Sequence, residues 1–357
     1  MKCCRYCFAD AHIASLLQTT DEEKGKCDFC GKANVALMDL RSANAEAFKT
    51  YLISIITVYH AVEEVSDMHG RFIGDLLSEE LNVFVLSHSQ IMDFLKEIMG
   101  SEYDDYAVYL NKPLILTSDK KNSVSFIGTL TWEEFSEKLK KENRFHTKEF
   151  NAVIFKEILD SCKVSIDATT KLYRARIWTD DKGYEIEDMG APPANKVPPG
   201  RINPSGMSYL YLSGDAQTVL RETRALIHDR ATIGEFQLKS TDSSLEIIDL
   251  TKISSIESKR FKNVDSFVVN KGLLRSLSQQ ISKPQRRYEH SVEYIPTQYI
   301  CDYIKSLGYQ GIKYASTVNR GGVNYAIFKP ELFVCTGLER KEIYGIHYKS
   351  RALNTSL

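Results

Sequence analysis

The sequence predicts a cysteine-rich segment and a mainly helical region, followed by a C-terminal half of α+β class. Three observations lead to this prediction. Five of the eight cysteines lie within the first thirty residues. Apolar residues at helical spacing follow, and short alternating apolar stretches with intervening helical patterns occupy the C-terminal half. We therefore divide the chain into residues 1–35, 36–165, 166–335 and a C-terminal tail, 336–357.

The cysteines of the first segment have the spacing of a metal site. Cys4 and Cys7 form one C-x-x-C pair, and Cys27 and Cys30 form a second about twenty residues later. Each pair makes a tight turn that aims two sulfurs at one point, so two pairs complete a tetrahedron around a structural Zn²⁺ ion. Free cysteines are the alternative. Cys3 competes with Cys4 for the same place; the spacing favours Cys4 and leaves the choice open.

The region 36–165 is predicted to be mainly helical. Its apolar residues recur at helical spacing, and Thr131 begins a capping-box-like sequence. The predicted helices are the segment from the N-cap Ser42 to Tyr59, Ser78–Ile98, Thr131–Lys141 and 148–163, with short strands at Pro113–Leu116 and Ser123–Ile127.

The C-terminal half is predicted to alternate strands with helices. Strands are expected at Lys171–Trp178, Tyr209–Leu212, Leu245–Leu250, Gly311–Tyr314 and Tyr325–Phe328. Helices are expected at Ala216–Ile227, Val264–Ser278 and Pro296–Leu307.

Composition excludes some classes of function. The net charge is -1 and no long basic block occurs, so nothing favours bulk binding to nucleic acid, although a role of the cysteine-rich segment in such binding stays open. The most apolar segment, Tyr51–Val65, is shorter than the roughly 18 residues of a membrane span and contains charged residues. The N-terminus lacks the apolar run of a signal peptide. We predict a cytoplasmic protein that does not contact membranes.

Polar residues within strand-like surroundings are the candidates for chemistry. They lie in Tyr173-Arg174, in Gly200-Arg-Ile-Asn-Pro-Ser-Gly206, in Tyr211-Leu212, at Glu222 and Ser316, and in the Asn324–Phe328 stretch. Two arginines on neighbouring elements grip a pyrophosphate with bidentate hydrogen bonds. Tyrosines stack on flat rings, and a carboxylate stabilises a cationic, sugar-like transition state. Together these are the parts needed to cleave a nicotinamide–ribose bond.

These segments, in this order, resemble the RES family of bacterial toxin enzymes, whose fold is like that of mono-ADP-ribosyltransferases. The resemblance covers about 170 residues, nearly half of the chain. It implies that Arg174 and Arg201 bind the phosphates of NAD⁺ or order its ribose, and that Tyr211 faces the nicotinamide. It further implies that Glu222 stabilises the transition state or orients water, and that Ser316 bonds the ribose or positions the substrate. Tyr173, Asn203 and Asn324 are the remaining residues that it assigns to NAD⁺.

The zinc segment fused to a helical region resembles the HEPN-like N-terminal domain of some RES proteins. This resemblance rests on the order of the segments more than on particular residues. The Arg–His signature of HEPN ribonucleases does not occur suitably within residues 36–165. RES toxins pair with an antitoxin that plugs the active site, so an antitoxin or another regulatory partner is expected.

The sequence leaves three functions open. The leading one is a bacterial toxin or defence enzyme that cleaves NAD⁺ to nicotinamide and ADP-ribose and depletes the cell of NAD. The second is an ADP-ribosyltransferase that modifies a protein or nucleic acid. The third is a non-catalytic, zinc-dependent binding protein.

Overall fold

The computed structural model describes residues 1–17, 24–62, 70–179, 182–239, 244–255, 257–284 and 290–346. The chain forms two compact units. The first comprises Met1–Cys162 and Lys252–Leu277, and the second comprises Lys163–Thr251 and Ser278–Leu357. Helices predominate in the first unit, and an eight-stranded sheet forms the second. The predicted α+β class is confirmed.

The first unit combines helices with short two-stranded ladders. Its core is rich in aromatic and aliphatic side chains and includes Phe48, Phe94 and Phe267. Up to Cys162, its α-helices of five or more residues are α1 (Ala11–Leu16), α2 (Glu46–Ile56), α3 (His88–Met99), α4 (Ala107–Asn111), α5 (Ser118–Val124), α6 (Trp132–Lys141) and α7 (Ala152–Asp160). Strand pairs join Lys2–Cys3 to Met38–Asp39, Lys24–Gly25 to Val35–Ala36, and His60–Ala61 to Leu114–Ile115.

The capping box predicted at Thr131 is present. The Thr131 hydroxyl accepts the backbone N–H of Glu134 at 3.2 Å, and the Glu134 carboxylate accepts the backbone N–H of Thr131 at 2.8 Å. Two donors at the start of α6 are thus satisfied. The helices predicted after Ser42 and within 148–163 are also present, as α2 and α7.

Two predictions in this region are wrong. The predicted helix Ser78–Ile98 is interrupted: a π-helical turn occupies Leu76–Glu80, and α3 begins only at His88 with Ser87 as its N-cap. Asn82 adopts a left-handed φ of 51°, which breaks the helical path. The predicted strand Ser123–Ile127 is absent, because Thr117 caps α5 and the chain stays helical to Val124.

The second unit is built on one mixed sheet. Its strands are β1 (Lys163–Ile166), β2 (Leu172–Trp178), β3 (Leu210–Ser213), β4 (Arg230–Leu238), β5 (Leu245–Asp249), β6 (Gly311–Ala315), β7 (Val323–Ile327) and β8 (Phe333–Glu342). They are ordered β8-β4-β2-β3-β7-β6-β5-β1, and the β5–β6 pair is parallel. The sequence did not predict β1, β4 or β8. The strand β8 extends through residues 336–342, which we had assigned to the tail.

Three helices accompany these strands in the sequence. They are α8 (Ala216–Glu222), α9 (Val264–Ser282), which begins in the first unit, and α10 (Ile295–Ser306). Helix α8 is shorter than the predicted Ala216–Ile227, because Arg224 adopts a left-handed φ of 54°. Glu222 is consequently the last residue of α8. No helix among the described residues is long and apolar enough to cross a membrane.

A buried ion pair joins the parallel strands β5 and β6. Asp249 is fully buried, its carboxylate lies 3.0 Å from the Lys313 Nζ atom, and it also accepts the backbone N–H of Thr251 at 3.1 Å. By contrast, the ion pair between Glu246 of β5 and Lys163 of β1 is about half exposed on both sides. The two ion pairs therefore form a matched comparison within one sheet.

We expect Asp249→Ala to lower the free energy of unfolding by about 3 kcal/mol, because it leaves the Lys313 ammonium without its buried partner. Glu246→Ala should cost less than about 1 kcal/mol, since exposed ion pairs contribute little. Urea unfolding followed by circular dichroism measures both. Equal effects of the two substitutions would contradict this account of the sheet.

Candidate active site and metal centre

A cavity of about 640 Å³ opens in the second unit. Among the described residues, cationic, phenolic and proline side chains share its wall with one carboxylate. The lining residues are Arg174, Pro192, Val197, Pro198, Pro199, Gly200, Arg201, Ile202, Asn203, Tyr209, Tyr211, Glu222, Arg224, Ile281, Ser282, Lys283, Pro284, Tyr314, Thr317, Val318 and Asn324. The volume lies within the range of about 300–1,000 Å³ typical of small-molecule sites.

The carboxylate of Glu222 is held from two directions. Its Oε1 atom accepts a hydrogen bond from the Ser316 hydroxyl at 2.7 Å and another from the Asn324 Nδ2 atom at 2.6 Å. Asp215 caps the N-terminus of α8 by accepting the backbone N–H of Thr218 at 2.7 Å. Helix α8, the turn at Ser316 and strand β7 therefore fix the orientation of the Glu222 carboxylate at the cavity wall. The residue remains exposed to solvent.

Arg174 of β2 presents its guanidinium group to the cavity. Its Nη1 atom is buried and has no hydrogen-bond partner within the described ranges. Burial, together with Arg176, lowers the pKa of Arg174 to about 10, so the guanidinium remains charged at neutral pH. A buried donor without an acceptor is costly unless a ligand satisfies it. The chemistry of this position therefore suits an anion.

Arg201 is held more firmly by the protein. It is 6% exposed, its Nη2 atom donates to the Pro284 carbonyl at 3.5 Å, and its guanidinium lies 5.2 Å from the centre of the Tyr294 ring. Its own carbonyl accepts the Thr297 hydroxyl of α10 at 2.6 Å. Strand β2 and the Gly200–Gly206 loop thus bring two guanidinium groups to one cavity.

Asn203 and Tyr211 shape that loop. The Tyr211 hydroxyl donates to the Asn203 Oδ1 atom at 2.6 Å, and the Asn203 Nδ2 atom donates to the carbonyls of Pro198 and Pro204. Gly206 has a φ of 80°, which favours glycine. Burial raises the pKa of Tyr211 well above its usual value, so the phenol stays neutral. Both side chains line the cavity, and both also form hydrogen bonds with other groups of the protein.

Residues 171–344 match the protein-family model described as RES domain. This part of the chain is a RES domain. Among solved structures, the chain is similar to one titled "Crystal structure of the M.tuberculosis MbcT-MbcA toxin-antitoxin complex", with 12% identity and a TM-score of 0.32 over 52% of this chain and 91% of that chain. A likeness this low carries no argument about function. No curated protein matches the chain.

The structure brings most of the predicted residues of the RES domain together. Six of them line the cavity: Arg174, Arg201, Asn203, Tyr211, Glu222 and Asn324. Ser316 does not line it and contributes through its hydrogen bond to Glu222. Tyr173 does not line it either, because neighbouring residues of a strand face opposite sides and Arg174 takes the side of the cavity.

Sequence reasoning missed other residues of the RES cavity. Tyr314 pairs with Asn324 across β6 and β7, and burial raises its pKa, so it adds a further neutral phenol to the wall. Its place in the Gly-x-x-Gly-Ile-x-Tyr stretch was the only signal. Arg224 and Lys283 add positive charge to the wall. The sequence offered no signal for these two, since single basic residues in loops are common.

The candidate metal centre lies outside the RES domain, in the first unit. The sulfurs of Cys4, Cys7, Cys27 and Cys30 all lie within 4.8 Å of one another. The Cys4–Cys30 and Cys7–Cys27 sulfur pairs are each 3.5 Å apart. Zinc–sulfur bonds of about 2.3 Å place tetrahedral sulfurs roughly 3.8 Å apart, so four thiolates in this arrangement can hold such an ion. No position remains open for water, as in structural sites.

Cys3 is a fifth, fully buried thiol beside this set. Its Sγ atom donates to the Cys4 carbonyl at 3.5 Å. A tight turn joins Cys4 to Cys7, in which the Cys7 N–H donates to the Cys4 carbonyl at 3.2 Å. The four sulfurs that converge therefore include Cys4 rather than Cys3, in agreement with the spacing.

We expect Cys4→Ala protein to lose its bound zinc, from about one ion per chain to none, because one of four thiolate ligands is removed. Cys3→Ala is the matched control and should keep the ion. Metal analysis of purified, dialysed proteins measures both. Retention of zinc in Cys4→Ala together with its loss in Cys3→Ala would reverse the assignment.

Proposed function

We propose that the RES domain cleaves the nicotinamide–ribose bond of NAD⁺. The observation that carries the proposal is the position of one oriented carboxylate, Glu222, in a cavity that also presents the guanidinium groups of Arg174 and Arg201. Nicotinamide in NAD⁺ is already a cationic leaving group, so its departure needs no general acid. The sugar that remains develops positive charge at its anomeric carbon.

Glu222 stabilises that charge. A carboxylate fixed before the reaction stabilises an oxocarbenium-like transition state without reorganising as the charge develops. The donors from Ser316 and Asn324 both bond to Oε1. Because the carboxylate is rigid, these two bonds to Oε1 also hold its Oε2 atom in place. Because Glu222 is exposed, water can reach this side of the cavity.

The two arginines bind the pyrophosphate. Guanidinium groups match phosphate oxygens with paired hydrogen bonds, and the buried Nη1 atom of Arg174 gains an acceptor when a phosphate binds. Tyr211 and Tyr314 stay neutral and offer flat, apolar faces beside Glu222. Such electron-rich faces suit the cationic pyridinium ring of NAD⁺.

In the cell, this reaction would deplete NAD. We propose accordingly that the protein acts in the cytoplasm as a bacterial toxin or defence enzyme, held in check by an antitoxin or another partner that blocks the cavity. The four-cysteine centre is proposed to bind Zn²⁺ as a structural ion, and the likeness of residues 36–165 to HEPN domains stays a prediction.

We expect Glu222→Gln to lower the rate of nicotinamide release at least 100-fold, because the neutral amide no longer stabilises the developing charge. Arg174→Ala should weaken NAD⁺ binding about 10- to 100-fold, since charged hydrogen bonds to phosphate are lost. Purified protein is incubated with NAD⁺, and nicotinamide is followed by liquid chromatography.

Arg176→Ala is the matched control. This arginine lies two residues from Arg174 on the same strand, does not line the cavity, and stacks on Tyr184 at 5.2 Å. It should retain normal turnover. Label from adenine-labelled NAD⁺ that appears on protein or nucleic acid would favour the transferase instead. Absence of NAD⁺ loss in the parent protein would favour a non-catalytic binding role.

A further inference from the structure

Ser213 is a buried polar residue behind the wall of the cavity. It is the last residue of β3, is 2% exposed, and is not among the lining residues. Strands β3 and β7 are antiparallel, and their register places Ser213 directly opposite Asn324. Side chains of directly opposed residues lie close enough to hydrogen-bond.

The amide of Asn324 has a different partner at each end. Its Oδ1 atom accepts the Ser213 hydroxyl at 2.7 Å, and its Nδ2 atom donates to Glu222 Oε1 at 2.6 Å. Asn324 is 5% exposed, so little water is available to replace either partner. A flipped amide would place Oδ1 against a carboxylate oxygen, where two acceptors repel. Glu222 therefore selects this orientation of the amide, and the Ser213 hydroxyl supplies the donor that the Oδ1 atom then needs.

We propose that Ser213 is a positioning residue for NAD⁺ cleavage: it fixes the Asn324 amide, which in turn orients the carboxylate of Glu222. The proposal rests on the proposed function. Ser213 touches neither the cavity nor the reacting atoms, so it acts through Asn324 alone. Nothing in the motif order of the RES domain assigns this serine.

We call the contacts from Ser213 through Asn324 to Glu222 the relay, and the relay predicts a distinctive kinetic defect. In Ser213→Ala, the buried Oδ1 atom loses its donor, and the Asn324 side chain turns to find another. The bond from Nδ2 to Glu222 then weakens, while the bond from Ser316 remains. Because one of two orienting bonds is lost, we expect kcat to fall about tenfold. KM should change less than about twofold, since no substrate contact is removed.

The experiment compares five variants of the full chain, beginning with Ser213→Ala, in the nicotinamide-release assay. Ser213→Thr keeps the hydroxyl and should restore most of kcat. Asn324→Ala removes the intermediary, so adding Ser213→Ala to it should cause no further loss. Ser136 supplies the control: it is also buried, but its hydroxyl donates to the Trp132 carbonyl within α6. Ser136→Ala should turn over normally.

A measurement without substrate tests the contact itself. Selective labelling of asparagine side-chain amides, read by nuclear magnetic resonance, should show one Asn324 resonance that shifts in Ser213→Ala and returns towards its original position in Ser213→Thr. An unchanged kcat in Ser213→Ala, or full additivity with Asn324→Ala, overturns the relay while leaving NAD⁺ cleavage intact. A parent protein that releases no nicotinamide overturns the proposed function, and the positioning role with it.

Discussion

The hydrogen bond between Asn324 and Glu222 is the interaction on which the candidate site depends. Glu222 ends α8 and Asn324 lies on β7, so the bond ties a helix terminus to the middle of the sheet. A carboxylate on a helix end would otherwise sample several rotamers in solvent. With Asn324 and Ser316 both donating to Oε1, the negative charge has a fixed place before any substrate arrives. A charge that is fixed before a reaction stabilises an opposite charge in the transition state without the cost of reorganising.

Among the described residues that line the cavity, cations outnumber carboxylates. Arg174, Arg201, Arg224 and Lys283 line the cavity with Glu222. Arg224 and Lys283 are exposed, whereas burial lowers the pKa of Arg174 to about 10, because a buried cation loses hydration. This pattern of charge supports the proposed binding of a polyanionic ligand.

Sequence reasoning named residues that line the cavity more readily than it placed the elements that hold them. Arg174, Arg201 and Glu222 stand out because polar groups within apolar or glycine-rich stretches need a reason to be there. The pairing of Ser213 with Asn324 could not be predicted, because register is set by the whole sheet and a one-residue slip reverses every side chain. Likewise, the apolar spacing across Ser78–Ile98 gives no sign of the left-handed conformation of Asn82, which interrupts the predicted helix.

The central claim is that the nicotinamide–ribose bond is the bond that breaks. Mass spectrometry of the products formed from NAD⁺ in ¹⁸O-labelled water tests this directly. The account predicts unlabelled nicotinamide together with ADP-ribose that carries one ¹⁸O atom at its anomeric position. Appearance of AMP and nicotinamide mononucleotide would place the cleavage at the pyrophosphate and contradict the role given to Glu222.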